Sequence, residues 1–519
     1  MLSLLAAAPA LAGPVAPAAP CHTLALMPGI VLAPELLGDV EPPPPPDEKA
    51  SRDAYGVPYQ LESDNFVLRW GGGVTEASAQ TVLDAFEHSW DVEVDQMAHP
   101  PPQGSDRYRF NVYVGNSGGG TPQIPDGTAG YFYTDAVGWP MIVLHPDVVR
   151  RSDEFLTTIP HELYHAVQYA SETFEYDGEG AWFWEATASW VEIEVYPDRL
   201  DYALPIGGYA LLPHLQLDFF DYPDTWVLEE YHQYGAFIFP RYVSEFVGDW
   251  RIIRNAWVEP RVVGNRPLAA VGAELEALGV PLEQAFMDFA ARNVTWDYAH
   301  GETYAYYTDF WVDYYPEQDH RVHASFEGAG SGGTWSPEDA LSPRRFGVNT
   351  VSLASPDDGD LTVRFDGDAE GSRGSDAAFG LTAVRVSGDT VEYTPLLLGG
   401  TTGELVVPDV GGLDAVHIVV GAWSDTLRWS EFFDYRIELE VGPPQPDTGG
   451  ADTGTERGGT DTGPDGGEAD TVITRQLPAW TPGPRSSCGC STRRSTGAGG
   501  ALAAFFVGLA ALAGRRRER

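Results

Sequence analysis

The spacing of apolar residues changes near residue 320, and this change constrains the fold more than any other feature. Before it, segments such as YGAFIFPRYVSEFV and PLEQAFMDFAARNV place apolar residues three and four apart, which predicts helices. After it, short alternating segments such as DLTVRFDGD and DAVHIVVGAWS are separated by Gly and Asp, which predicts strands. The sequence therefore predicts an α+β fold with a C-terminal β-sandwich over residues 320–442.

A small β-sheet is predicted at the start of the globular part. YQLESDNFVLRWGGG has the pattern of one strand closed by glycines, and TEASAQTVLDAFEHSWDVEVDQM predicts a helix capped near Thr75. Three more predicted strands, in YRFNVYVGNSGGG, GTAGYFYT and PMIVL, precede a helix that contains HELYHAVQYA at residues 161–170. That helix begins either near Ser152, with Pro160 in its interior, or at Thr157 or Thr158, with Pro160 in its first turn.

Net charge limits the possible partners, and the cysteine positions limit the possible disulfides. The formal net charge is −45, which argues against nucleic acid or an anionic membrane surface as a partner held by bulk electrostatics. All three cysteines, Cys21, Cys488 and Cys490, lie near the ends, so no disulfide framework is expected in the middle of the chain.

The N-terminus has the features of an export signal. MLSLLAAAPALAGPVAPAAP is an apolar run with Ala-Leu-Ala, a pattern typical of signal-peptide cleavage sites. We therefore predict a signal peptide over residues 1–20, followed by a Pro-rich leader over residues 21–50. A plain Ala/Pro leader is the alternative.

The C-terminus predicts a linker followed by a membrane span. Residues 443–487 repeat Asp-Thr-Gly and contain too few apolar residues to form a core. Residues 488–519 contain Cys-Gly-Cys, an apolar stretch over residues 498–514, and an arginine cluster that would remain cytoplasmic. This order resembles the myxobacterial sorting domain MYXO-CTERM. The resemblance implies export, processing near Cys488 and anchoring at the cell surface, whereas a plain tail anchor would not need the paired cysteines.

The segment HELYHAVQYA has the spacing of a zinc site. His161 and His165 are four residues apart, so a helix presents both imidazoles on one face. Glu162 is rotated by about 100° and can reach water at the metal without occupying a ligand position. Catalytic zinc needs a third protein ligand, and Glu185 in GEGAWFWEATASWVE, twenty residues after His165, is the candidate.

This arrangement of His-Glu-x-x-His and a later Glu resembles the gluzincins, the thermolysin-like clan of zinc metallopeptidases, and is most similar to secreted myxobacterial members. The resemblance covers about residues 130–250. It implies a gluzincin-like metallopeptidase domain over residues 51–310, with a small β-sheet, active-site helices and a mostly helical subdomain. It also implies that His161, His165 and Glu185 bind Zn²⁺, with Glu162 as the general base, and that PMIVL is the sheet edge that pairs with an extended peptide.

This sequence departs from the family pattern at one position and leaves the oxyanion donor undecided between two residues. Many family members carry an Asp one turn after the third ligand, where this chain has Ser189, so Glu192 is expected to orient the first histidine instead. The family also uses a histidine or a tyrosine to donate a hydrogen bond to the developing oxyanion. Tyr234 and His232 are both candidates, and Tyr234 is favoured because it begins an apolar-periodic segment.

The resulting functional prediction is a zinc metalloendopeptidase that acts on protein or peptide substrates and is attached to the membrane by its C-terminal span before any processing. The main alternative is a non-enzymatic surface or adhesion protein with a structural zinc site. An aminopeptidase is less well supported, because GNSGGG lacks the acidic residue expected beside it. Ca²⁺ at Asp357, Asp358 and Asp360 is a minor alternative, since these residues lack EF-hand spacing and a solvated turn is favoured.

Overall fold

The structure is a computed structural model that describes residues 48–223, 227–327, 332–428, 430–443 and 475–476. The predicted signal peptide, nearly all of the leader and of the Gly/Asp/Thr linker, and the C-terminal sorting segment lie outside these residues. Among the residues that are described, no helix has both the length and the apolar character needed to cross a membrane.

The first sheet has five strands in the order β1-β2-β3-β5-β4. The strands are β1 (Tyr59–Glu62), β2 (Phe66–Trp70), β3 (Phe110–Val114), β4 (Gly130–Thr134) and β5 (Pro140–Leu144). The three central strands are parallel to one another and completely buried, and the outer strands are antiparallel to their neighbours. Their near-continuous apolar sequences fit this burial on both faces.

Two details of the predicted sheet are wrong. YQLESDNFVLRWGGG forms a hairpin of two strands, because the chain turns at Ser63, whose N–H donates to the Phe66 carbonyl at 2.9 Å. PMIVL, which is β5, is not the sheet edge, because it pairs with β3 on one side and with β4 on the other. The outer strand on this side of the sheet is β4.

The helices that follow carry the His-Glu-x-x-His segment. In chain order they are α1 (Glu76–Trp90), α2 (Pro146–Arg150), α3 (Thr158–Ser171) and α4 (Ala181–Val195). Helix α1 is capped by the Thr75 hydroxyl, which accepts from Ser78 N–H at 3.1 Å, as predicted. Helix α3 begins at Thr158, so Pro160 lies in the first turn, where a missing N–H removes no intrahelical hydrogen bond.

A mostly helical region follows, as the sequence predicts. It contains α5 (Ile206–Ala210), α6 (His232–Gly235), α7 (Ile238–Tyr242), α8 (Arg251–Val258), α9 (Pro267–Ala277), α10 (Leu282–Asn293) and α11 (Gly301–Tyr314). One large hydrophobic cluster joins most of these helices to the first sheet and to α3 and α4.

The C-terminal region forms two further sheets. Its strands are β6 (Ala324–Phe326), β7 (Gly333–Trp335), β8 (Gly347–Ala354), β9 (Asp360–Gly367), β10 (Ala378–Ser387), β11 (Thr390–Tyr393), β12 (Leu397–Gly400), β13 (Thr402–Val407), β14 (Ala415–Trp423), β15 (Tyr435–Gly442) and β16 (Arg475–Gln476). One sheet has the order β16-β12-β10-β14-β8-β6, with β11 on β10, and the other has the order β13-β9-β15-β7. Buried residues from both sheets form one hydrophobic cluster. The prediction of an α+β fold is confirmed.

The helical region and the larger C-terminal sheet share a core at Met287 on α10. Gly380 and Gly421 face each other across β10 and β14. A Cβ atom built on Gly421 would lie 2.4 Å from Met287 Sδ, and one on Gly380 would lie 2.8 Å from Met287 Cγ. The two glycines therefore form a notch that holds the methionine, while Phe286 packs against Phe346 with ring centroids 5.1 Å apart.

Filling this notch is expected to destabilise the whole protein. Gly421→Val places two methyl groups where Met287 now packs, and overpacking of this kind costs about 1–3 kcal/mol. The urea midpoint of tryptophan fluorescence should fall for this variant. Gly442→Val is the matched control, because a Cβ at Gly442 has no atom within 4 Å. Equal midpoints for the two variants would show that the notch is not tightly packed.

Candidate metal centre

Helices α3 and α4 bring His161, His165 and Glu185 together. One candidate ligand atom from each residue lies within 4.8 Å of the other two, and all three residues are buried. His161 Nε2 lies 3.2 Å from Glu185 Oε2, and His165 Nε2 lies 3.5 Å from Glu185 Oε1. The carboxylate of Glu185 therefore faces both imidazoles from the neighbouring helix, as the sequence predicts.

Glu192 contacts the imidazole nitrogen of His161 that does not face Glu185. Glu192 lies seven residues, about two helical turns, after Glu185 on α4, and its Oε1 is 2.9 Å from His161 Nδ1. An ionised carboxylate can only accept, so Nδ1 is the donor in this contact. Burial raises the pKa of Glu192, and hydrogen bonds from His161 and the Thr157 hydroxyl oppose that rise. With the proton on Nδ1, the lone pair of His161 is on Nε2, the nitrogen that faces Glu185.

A hydrogen-bond network that starts at Thr187 determines the orientation of Gln168. The Thr187 hydroxyl donates to the Phe183 carbonyl at 2.6 Å and accepts from the Trp257 indole N–H at 3.1 Å. Gln168 Nε2 donates to the same hydroxyl at 2.9 Å and to the Trp184 carbonyl at 2.8 Å. Because Nε2 is the donor in both contacts, Oε1 must be the atom that faces His165.

Gln168 in turn determines which nitrogen of His165 carries the proton. Its Oε1 lies 2.7 Å from His165 Nδ1 and can only accept, so His165 Nδ1 is the donor. Burial holds the pKa of His165 well below its ordinary value, and the neighbouring His161 lowers it further. His165 is therefore a neutral imidazole whose lone pair is on Nε2, which is the form that binds metals.

The donor set fits a cation. His165 Nε2 and Glu185 Oε1 are both buried, and neither has a hydrogen-bond partner among the residues that the structure describes. Both atoms present lone pairs across 3.5 Å, an arrangement that is unfavourable unless a positive charge lies between them. Burial raises the pKa of Glu185. Two imidazole nitrogens and a carboxylate can thus hold a metal ion.

Glu162 lies beside this group but is not a member of it. Its side chain is buried and rests against Gly130, the first residue of β4. A Cβ atom at Gly130 would lie 2.8 Å from Glu162 Oε1, so a larger residue at this position would displace the carboxylate. Strand β4 pairs with β5 on one side and with no other strand of the described chain on the other. Glu162 is therefore adjacent to a sheet edge.

The two candidates for the oxyanion donor occupy different surroundings. The Tyr234 ring lies against His161, with centroids 6.4 Å apart and an interplanar angle of 23°. His232 packs against Tyr209 and Phe219, with centroids 5.4 Å apart in each case. Burial lowers the pKa of His232 to about 3, so its imidazole is neutral. Of the two residues, Tyr234 is the one that contacts a member of the candidate metal group.

Sequence reasoning missed Gln168 and Gly130. Gln168 follows His165 by three residues, so helical spacing alone could have placed both on one face. Gly130 carries no such signal, because its proximity to Glu162 depends on how β4 crosses α3. Among the described residues, Asp357, Asp358 and Asp360 are not part of a convergent metal-ligand group, and Asp360 Oδ1 accepts from Asp409 N–H at 3.0 Å.

Most of the chain matches a known protein family. The sequence profile of a family described as "Family of unknown function (DUF6055)" matches residues 43–421. This range includes the candidate metal centre and most of the two C-terminal sheets. No curated protein matches the chain.

Proposed function

The chain belongs to the DUF6055 family, whose profile covers residues 43–421 of 519, and we propose that it is a zinc-dependent metalloendopeptidase. The observation that carries the proposal is the convergence of His161, His165 and Glu185 with a buried carboxylate, Glu162, beside them. The direct test is zinc-dependent cleavage of peptides by the purified chain.

The number of ligands favours an enzyme over a protein with a structural metal. Structural zinc sites are usually closed by four protein ligands, whereas catalytic sites use three and leave a position open. The convergent group has three members among the described residues, and it is formed from imidazole and carboxylate. These donors suit zinc, and all three cysteines lie far from the group in sequence.

Each residue has a distinct role in the proposed reaction. Bound at this group, zinc would polarise the scissile carbonyl and acidify the attacking water. Glu162 accepts the proton of that water and passes it to the leaving nitrogen. Glu192 and Gln168 keep the two histidines in the tautomers that direct Nε2 toward the metal. Tyr234 donates its hydroxyl hydrogen bond to the developing oxyanion.

The outer strand β4 supports an extended peptide as the substrate. A peptide that adds to a sheet edge gains main-chain hydrogen bonds along its length. Strand β4 has a side without a strand partner in the described chain, and its first residue touches Glu162. A peptide on this edge would pass beside the general base. We therefore propose that β4, rather than PMIVL, is the strand that pairs with the substrate.

Replacing Tyr234 by Phe tests the oxyanion donor. If the Tyr234 hydroxyl donates to the oxyanion, Tyr234→Phe should keep its zinc and lose about 10²-fold or more in kcat. His232→Gln is the paired variant, because His232 is the other candidate and contacts Tyr209 and Phe219. Turnover is measured at saturating peptide for both variants. If His232→Gln were slow and Tyr234→Phe were not, the donor would be His232.

Replacing Gln168 by Met tests the positioning of His165. Met has a similar volume but cannot accept from His165 Nδ1, so the tautomer with Nε2 free is no longer selected. Zinc affinity, measured by competition with a chelator, should fall about 10- to 100-fold. Gln80→Met on α1 is the control, because Gln80 is exposed and its amide donates to Asp84. Equal affinities would contradict a positioning role.

We also propose a fold for the catalytic and C-terminal regions. The small sheet followed by α3 and α4 supports a gluzincin-like catalytic domain, and the buried cluster shared by the two C-terminal sheets supports a β-sandwich. Export and surface anchoring rest on the sequences of residues 1–20 and 488–519, which lie outside the described residues.

A further inference from the structure

Three histidines meet where the helical region joins the larger C-terminal sheet. His214 follows α5, and His320 and His323 lie in residues 315–323, the joining segment between α11 and β6. The ring of His214 is nearly perpendicular to the other two rings, with centroids 5.2 Å from His320 and 5.5 Å from His323. The rings of His320 and His323 are nearly parallel, with centroids 6.0 Å apart. These three residues form the histidine cluster.

The histidine cluster is not arranged as a metal site. The ligands of one zinc ion must direct their donor atoms to a single point. Among the described residues, the convergent group of three or more candidate ligands is His161, His165 and Glu185, and no member of the histidine cluster belongs to it. The property that remains is the one that distinguishes histidine from other side chains, a change of charge near neutral pH.

The cluster connects the joining segment to its neighbours on both sides. His320 N–H donates to the Leu211 carbonyl of the helical region at 3.0 Å. His323 N–H donates to the Thr350 carbonyl on β8 at 2.9 Å, and Thr350 N–H donates back to His323 Nδ1 at 3.4 Å. The backbone and the ring of His323 thus both contribute to the attachment of the joining segment to the sheet.

A second proton on His323 would break one of these contacts. Because Nδ1 accepts from Thr350 N–H, the neutral ring carries its proton on Nε2, which is buried and has no hydrogen-bond partner within the described chain. The second proton must therefore go to Nδ1, and two N–H donors would then face each other. The charged ring would also lie 5.5 Å from the ring of His214, which is buried.

The surroundings keep His214 and His323 uncharged at neutral pH. Burial lowers the pKa of His214 to about 3. Positive charge on His320, Arg344 or His232 lowers that pKa further. Burial also holds the pKa of His323 well below its ordinary value, and His214 and His320 act in the same direction. A proton on either ring is therefore unfavourable as long as the junction is closed.

The neighbouring carboxylate cannot compensate for charge on the whole cluster. Burial lowers the pKa of His320, and Asp319 opposes this change. Asp319 already accepts from the Arg321 guanidinium at 2.8 and 3.1 Å, so its negative charge is shared with a cation. Protonation of all three histidines would therefore leave an excess of positive charge at the junction.

The joining segment has space into which it can move. A cavity of about 400 Å³ is lined by residues from all three parts of the junction, among them Pro213, Val322 and Thr350. Met287, which packs the helical region onto the same sheet, does not line this cavity. The joining segment can thus separate from its neighbours while the Met287 contact keeps the two regions together.

We propose that the histidine cluster is an acid-sensitive switch that releases the joining segment from Leu211 and from β8 as its rings gain protons. The closed junction requires neutral rings, with a pKa of about 3 for His214, whereas a histidine exposed by opening has a pKa of about 6.5. Between these two values, each fall of one pH unit lowers the ratio of closed to open junction about tenfold for each histidine that opening exposes. The junction is therefore closed above about pH 6.5 and opens progressively below it. This inference does not depend on the metallopeptidase function.

The test is hydrogen exchange in the full chain, followed by mass spectrometry and corrected for the effect of pH on intrinsic exchange. Between about pH 6.5 and pH 4.5, protection of the His320 and His323 amides should fall on the order of 10³-fold or more, because His214 and His323 both gain protons on opening. The amides of β3, which lie in the first sheet, should keep more of their protection, because the opening is local.

Two variants each remove one titrating ring. His214→Met leaves a side chain of similar size, and His323→Asn keeps an acceptor for Thr350 N–H. For each variant, the fall in protection over the same pH range should shrink to about 10- to 10²-fold. Val322→Ala is the control, because it changes the joining segment without removing a histidine, and its fall should equal that of the wild type. A purely structural role for either histidine would lower protection equally at both pH values and leave the fall unchanged.

Unchanged protection of the wild-type joining segment at the lower pH would overturn the proposal. An equal fall in protection of β3 would also overturn it, since the cluster would then take part only in unfolding of the whole chain. A wild-type fall that the folded variants retain would overturn it as well. Urea midpoints at neutral pH identify the variants that are folded and can be compared.

Discussion

Glu162→Gln is expected to keep its zinc and its fold while peptide hydrolysis falls about 10²- to 10⁴-fold, the usual contribution of a general base. Glu162 is outside the group of three ligands, so its charge is not needed to hold the metal. Gln has nearly the same shape, so it can occupy the position of Glu162 against Gly130. The measurement is kcat/KM on a fluorogenic peptide, with zinc content determined for the same sample.

The matched control for this variant is Glu276→Gln. Glu276 is exposed on α9, so removing its charge should leave hydrolysis unchanged. If Glu162→Gln cleaves the peptide as fast as the wild type, Glu162 is not the general base. If it loses zinc as well as activity, Glu162 has a role in holding the metal that its position outside the ligand group does not predict.

His165→Ala is expected to abolish tight zinc binding. The wild type should retain one zinc per chain after dialysis, and the variant should retain close to none, because two ligands remain and the Gln168 contact is lost. His300→Ala is the control, since His300 lies at the start of α11 and is not a member of the group. Stoichiometric zinc in a variant that lacks both His161 and His165 would place the metal elsewhere.

Much of the candidate site follows from local periodicity. The four-residue spacing of His161 and His165 puts both on one helical face, and this needs no tertiary information. Glu185 could be offered as the third-ligand candidate from the sequence, but its distance from the histidines depends on how α4 packs on α3. Glu192 was expected seven residues later on the same face, and the structure places it 2.9 Å from His161.

Other features depend on contacts that local patterns do not contain. Strand order is non-local, so the sequence did not reveal that β4 rather than β5 is the outer strand. The choice between Tyr234 and His232 depended on orientation, since residues two apart on a helix point in different directions. The notch around Met287 requires two glycines on different strands to meet, and the sequence separates them by forty residues.

The group formed by His161, His165 and Glu185 is proposed to hold a zinc ion that is required for peptide hydrolysis. The most direct measurement is cleavage of a peptide library by purified wild type before chelation, after chelation, and after zinc is restored. Cleavage should stop with the chelator and return with about one equivalent of zinc per chain. Undiminished cleavage by the metal-free protein, or no cleavage of any peptide by the zinc-loaded protein, would contradict it.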